Sequence, residues 1–100
     1  FPASLETIHE NAFAACSSLV VADLSKCRSL EEIGDANFAE CTSLIAVYFP
    51  RSLQRIGDHA FYRCQSLISA ELLPIVQAHD YAFYGCSTLE LRQPQEVAIN

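Results

Sequence analysis

The 100-residue chain is 51% hydrophobic and 18% charged, with three Gly and four Pro, which excludes the disordered and collagen-like classes. Twelve acidic against six basic residues leave a net charge of −6, arguing against a phosphate-tracking nucleic-acid surface. No apolar run nears the about 18 residues of a membrane helix, and the first 30 residues lack the basic-then-apolar pattern of a secretory signal.

The first unit to appear along the chain runs Ile8-x4-Phe13-x2-Cys16-x2-Leu19, and it recurs three times. The copies are Ile33, Phe38, Cys41, Leu44; then Ile56, Phe61, Cys64, Leu67; then Ala78, Phe83, Cys86, Leu89. Internal spacing is constant, while the unit starts lie 25, 23 and 22 residues apart. The length difference falls between Leu24, Phe49 or Leu72 and the next Ile-type position, the mark of a tolerant loop. Such a period is the signature of a repeat array, with units at about 1–24, 25–49, 50–73 and 74–100.

Within each unit the first extended piece covers Leu5 to Ile8, Leu30 to Ile33, Leu53 to Ile56 and Ile75 to Ala78, with its ends expected to face inward. Next comes a segment with an acid three residues before the Phe: Glu10, Asp35, Asp58 and Asp80. An acid there is expected to cap a one- or two-turn helix whose Phe and Cys face inward together. The unit closes on Ala22-Asp23-Leu24, Val47-Tyr48-Phe49 or Ala70-Glu71-Leu72, which alternate as a half-buried strand does.

These columns resemble the BspA-like leucine-rich repeats, whose unit runs roughly L-x-x-I-x-I-P-x-x-V/L-x-x-I-G-x-x-A-F-x-x-C. The fullest match is Phe49-Pro50-Arg51-Ser52-Leu53-Gln54-Arg55-Ile56-Gly57-Asp58-His59-Ala60-Phe61-Tyr62-Arg63-Cys64-Gln65-Ser66-Leu67. Leu19-x2-Ala22-x-Leu24-x2-Cys27-x2-Leu30 is also similar to the general leucine-rich pattern, with Cys at its N/C place. Ala78 and His79 depart from the expected Ile and Gly, and the pattern fades after Leu91. The resemblance implies an α/β repeat, a curved leucine-rich-repeat solenoid of short strands and short helical turns. It also implies protein binding or adhesion at a cell surface or in secretion. The start at Phe1 and the absence of polar caps suggest further repeat coils of the same chain.

The Cys16, Cys41, Cys64 and Cys86 spacing is not the paired pattern of a zinc site, and stacking at about 4.8 Å suits buried free thiols better than disulfides. Cys27 lies outside that column, in the variable loop; it is the thiol to watch for reactivity, with a structural role at the N/C place the favoured reading. Stacked acids could in principle attract calcium, but capping accounts for the column without an ion. His9 and His79 share a phase three units apart, while His59 sits two residues further along its own unit, so no clustering is expected. No hydrolase, phosphate-loop or zincin motif occurs, and Ser18, Ser43, Ser66 and Thr88 read as a turn or cap column. No catalytic residue, cofactor or metal ligand is assigned.

A repeat array varies the positions that meet a partner. On the strands these are Val21 and Asp23, Ala46 and Tyr48, Ser69 and Glu71. Tyr48 between Asp23 and Glu71 is expected to present an aromatic with an acidic rim to a basic or amide-rich protein partner. The plainer reading is of ordinary solvated strand residues, with the segment a structural spacer whose binding residues lie elsewhere. Tyr62 and Tyr84, where units one and two have Ala14 and Ala39, form a second exposed patch or simply pack on each other.

Overall fold

The fold is that of a computed structural model, which describes residues 4–8 and 10–92. Residues 1–3, His9 and residues 93–100 lie outside the described residues. Eight short strands follow in chain order: β1 (Thr7–Ile8), β2 (Val21–Asp23), β3 (Glu32–Ile33), β4 (Ala46–Tyr48), β5 (Arg55–Ile56), β6 (Ser69–Glu71), β7 (Gln77–Ala78) and β8 (Glu90–Arg92). Each unit gives one strand to each of two parallel sheets, ordered β1-β3-β5-β7 and β2-β4-β6-β8.

The repeat dictates the register, because equal internal spacing brings equivalent residues to the same height. Ile8 therefore pairs with Ile33, Ile33 with Ile56, and Ile56 with Ala78. In the other sheet Ala22 pairs with Val47, Val47 with Ala70, and Ala70 with Leu91.

Between the sheets the core is built from columns. Ile33, Ile56, Phe38, Phe61, Cys41, Cys64, Leu44 and Leu67 are all buried. The Phe rings form one continuous stack, with centroids 5.3 Å apart for Phe13–Phe38, 5.2 Å for Phe38–Phe61 and 5.1 Å for Phe61–Phe83. Stacking adds to the large apolar area that each ring removes from water. Phe13, Cys16 and Leu19, and likewise Phe83, Cys86 and Leu89, are only half-buried, since each packs on one described neighbour.

The segments expected to be short helices are consecutive turns, and no helix occurs among the described residues. Two features prevent the helix. Left-handed φ values recur at Ala15, Glu40, Arg63 and Gly85, and again at Asn11, Ala36 and His59, where a right-handed helix cannot continue. The donors a helix would use internally instead reach the next unit: Phe13 N–H donates to Asn37 O, Phe38 to Ala60, and Phe61 to Ala82, at 2.9, 2.7 and 2.7 Å.

The acid column also acts between units. Asp35 Oδ1 accepts the N–H of Asp58, one unit along, at 2.9 Å, in place of a cap on its own turn. Within the second unit the fully buried Asn37 takes the capping position, its Oδ1 accepting the Gly34 N–H at 2.8 Å.

Two inward assignments fail, those of Ile75 and of Ala78, which is exposed in β7. Ile75 is 71% exposed, and the half-buried Val76 packs on the core in its stead. Its N–H closes a turn on Leu73 O, as Leu53 does on Pro50 and Leu30 on Cys27, so the shortening of the fourth unit lies between Val76 and Ala78. Cys27 is fully buried within the core cluster, in the structural role of the N/C place and not as an accessible loop thiol. Its carbonyl and that of Leu30 accept the Ser52 hydroxyl at 3.2 and 2.6 Å.

Candidate functional site

Strand alternation decides what the second sheet offers to a partner. Its middle residues Ala22, Val47 and Ala70 point into the core, so the flanking positions face out. Val21, Asp23, Tyr48, Ser69 and Glu71 are exposed, with Val21 at 46% and Tyr48 at 53%. Ala46 differs from expectation: it pairs with Val21 and Ser69 in the correct row but is only 9% exposed.

A further row was not anticipated from the sequence. Val20, Ile45 and Ile68, one residue before the strands, are 46%, 44% and 54% exposed. They form a ladder, Ile45 N–H donating to Val20 O at 2.7 Å and Ile68 N–H to Ile45 O at 2.9 Å. Together with Val21 they place an aliphatic strip along one margin of the sheet. The signal was present, because the residue after each column Leu is aliphatic in three units, yet it has no alternation to distinguish it from core.

On the other margin Asp23 pairs with Tyr48 across the ladder. The Ser25 hydroxyl and backbone N–H donate to Asp23 Oδ1 at 2.6 and 3.0 Å, holding its carboxyl below the usual carboxylate range. Tyr48 and Glu71 line one cleft of about 310 Å³ with Ser25, Phe49, Arg51 and Leu73. Its rim thus carries Arg51 besides Glu71, and is mixed where the sequence suggested acidic.

The histidines correct a second expectation. His59 and His79 do meet: their Nδ1 atoms lie 2.7 and 3.3 Å from Asp58 Oδ1. His79 Nδ1 also accepts the Tyr81 N–H at 3.3 Å. Thr88 Oγ1 donates to the carbonyls of Leu67 and Gln65 at 3.0 and 3.1 Å, a turn-holding role. Among the described residues no group of three or more His, Cys, Asp or Glu is arranged to hold a metal ion, and no helix is long and apolar enough to cross a membrane.

Cys16, Cys27, Cys41, Cys64 and Cys86 form no disulfide. Three of the thiols reach back one unit, Cys41 Sγ donating to Phe13 O at 3.1 Å, Cys64 to Phe38 at 3.0 Å and Cys86 to Phe61 at 3.0 Å.

The family model of the BspA type leucine rich repeat region (6 copies) matches residues 1–99. Among solved structures the chain is similar to a leucine rich repeat protein of T. pallidum, at 29% identity and a TM-score of 0.61. That likeness covers 92% of this chain and 54% of the other, so the chain spans about half the length of that protein. No curated protein matches the chain.

Proposed function

As the chain belongs to the BspA-type leucine-rich repeat family, a generally non-enzymatic family of interaction modules, we propose that the outward face of the β2-β4-β6-β8 sheet docks a protein partner. The observation that carries this reading is the exposed strip of Val20, Ile45 and Ile68 along one margin of the sheet with Tyr48 on the other, all between 44% and 54% exposed. Aromatic and aliphatic anchors inside a polar border are what protein interfaces use for affinity, and Tyr is among the residues that most often carry it. The cleft beside Tyr48, with Glu71 and Arg51 at its edge, suits a partner side chain that is apolar with an amide or basic tip.

The aliphatic strip adds area, while Tyr48 supplies one large ring with a polar handle at low conformational cost. Adhesion at a cell surface, as the family resemblance implies, is one setting for such a face.

The test is selection of binders to the intact chain from a displayed protein library, followed by re-binding to Tyr48→Ala, Ile45→Ser and an Arg28→Ala control. Most binders should lose at least about tenfold in affinity on Tyr48→Ala, the loss of an interface anchor, and be indifferent to Arg28→Ala. Binders that tolerate Tyr48→Ala and Ile45→Ser alike would contradict this reading and favour a spacer segment.

A further inference from the structure

A second outward feature lies on the turns, independent of the sheet face. The residue two before each column Phe is Asn11, Ala36, His59 and Tyr81, and the residue after it is Ala14, Ala39, Tyr62 and Tyr84. Small side chains in the first two units thus give way to rings in the next two. The change falls inside the array, between the second and third units.

The rings are mutually ordered. Tyr62 and Tyr84 stack at 5.8 Å and 8°, and His59 and Tyr81 stack at 6.0 Å and 17°. The two stacks meet at right angles, with His59–Tyr62 at 5.0 Å and 67° and Tyr81–Tyr84 at 6.1 Å and 73°. Tyr81 is 53% and Tyr84 58% exposed, on the last of the described units. The face of a tyrosine ring is electron-rich and attracts a cation, and two such rings, each more than half exposed, lie edge to face here.

Two observations give the charge of the occupant. The guanidinium of Arg63 already lies 5.1 Å from the centre of the Tyr62 ring, so this ridge takes a cation on a π face. Asp80, exposed next to Tyr81, and Asp58, held between His59 and His79, add negative charge beside the rings. The whole chain, at −6, attracts the same sign at longer range.

We propose that the Tyr81–Tyr84 corner is a docking site for an arginine or lysine side chain of a protein partner, held by cation–π contact with Asp80 alongside. It does not rest on the sheet face and can succeed or fail without it.

The experiment is fluorescence anisotropy of a labelled Gly/Ser peptide carrying three arginines, titrated with the intact 100-residue chain, against the same peptide with Gln for Arg. The Arg peptide is expected to bind at least about tenfold tighter. Tyr81→Leu and Tyr84→Leu, each checked for folding by circular dichroism, keep the net charge and much of the apolar area but remove the ring face. Each should weaken binding at least about fivefold, a cation–π contribution, while Tyr84→Phe stays within about twofold. Tyr48→Ala should leave it unchanged. Equal binding of the Gln peptide, unchanged affinity in both Leu variants, or a loss that follows Tyr48→Ala instead would each overturn the proposal.

Discussion

The thiol of Cys64 donates to the carbonyl oxygen of Phe38 at 3.0 Å, tying one unit's cysteine to the previous unit's phenylalanine. Its contacts with the Cys41 and Cys86 thiols, followed by burial, push its pKa well above the usual thiol value, whereas the Cys64 thiol lowers Cys41 to about 7. The column is therefore a structural ladder of hydrogen-bonded thiols in which the middle member keeps its proton.

A pH dependence follows for Cys64. A group whose folded pKa is raised contributes stability that is fully present below its unfolded value, about 8.5 for Cys, and lost as pH rises above it. Urea unfolding at pH 7.5 and pH 10 should show a larger alkaline loss for the native chain than for Cys64→Ala. A variant that loses as much as the native chain would remove Cys64 as the cause.

Phe61 is fully buried, sandwiched between Phe38 and Phe83 and met edge-on by Phe49 at 5.9 Å. Truncation to Ala leaves a cavity that neighbours on both sides cannot collapse into. Phe61→Ala should cost roughly 3–5 kcal/mol in urea unfolding, and a loss under about 1 kcal/mol would show that the column is not core.

Gly57 is required by sterics alone. A Cβ there would lie 2.5 Å from Asp35 Oδ1, 2.8 Å from Asp35 N and 2.9 Å from Gly34 C, two of them backbone atoms. At Gly34 the nearest contact would be 3.2 Å, to Ile8 O. Gly57→Ala should therefore destabilise by about 1–3 kcal/mol and Gly34→Ala by clearly less. Thermal melts of the two variants decide it, and equal losses would contradict the close approach of these units.

The left-handed column offers the opposite change. Glu40 has φ 58° and is exposed, at the place where the fourth unit has Gly85 with φ 83°. Relief of the Cβ strain, roughly 1–2 kcal/mol, exceeds the entropic cost of Gly, about 0.5–1 kcal/mol. Glu40→Gly should thus raise the denaturation midpoint, and a lowered midpoint would contradict the backbone assigned to these turns.

Much of this architecture is legible in the sequence because the repeat does the aligning. Ile33 above Ile56 and Phe38 above Phe61 need only equal spacing to be read as stacked columns. The exposure of Asp23, Tyr48 and Glu71 follows from alternation around Ala22, Val47 and Ala70. What is hidden depends on contacts between units. Phe and Cys three apart suit a helix and a run of turns equally, and the left-handed residues together with the inter-unit bonds of Phe13, Phe38 and Phe61 select the turns. Ile75 and Val76 are both apolar, so the one-residue shift shows only in the Leu73–Val76 turn. His59 and His79 occupy different phases of their units, yet the lateral reach of Asp58 joins them. Val20, Ile45 and Ile68 resemble core residues in composition, and their place at the sheet margin alone leaves them exposed.

The central claim is the in-register stack that buries the thiol column and leaves the strand faces to partners. Thiol alkylation of the native and the denatured chain without reductant, followed by mass spectrometry, tests it most directly. The half-buried Cys16 and Cys86 should react first, Cys27, Cys41 and Cys64 should be protected until unfolding, and all five should react afterwards. Native labelling of Cys27 or Cys64 as fast as Cys16, or fewer than five reactive thiols after unfolding, would contradict the stack.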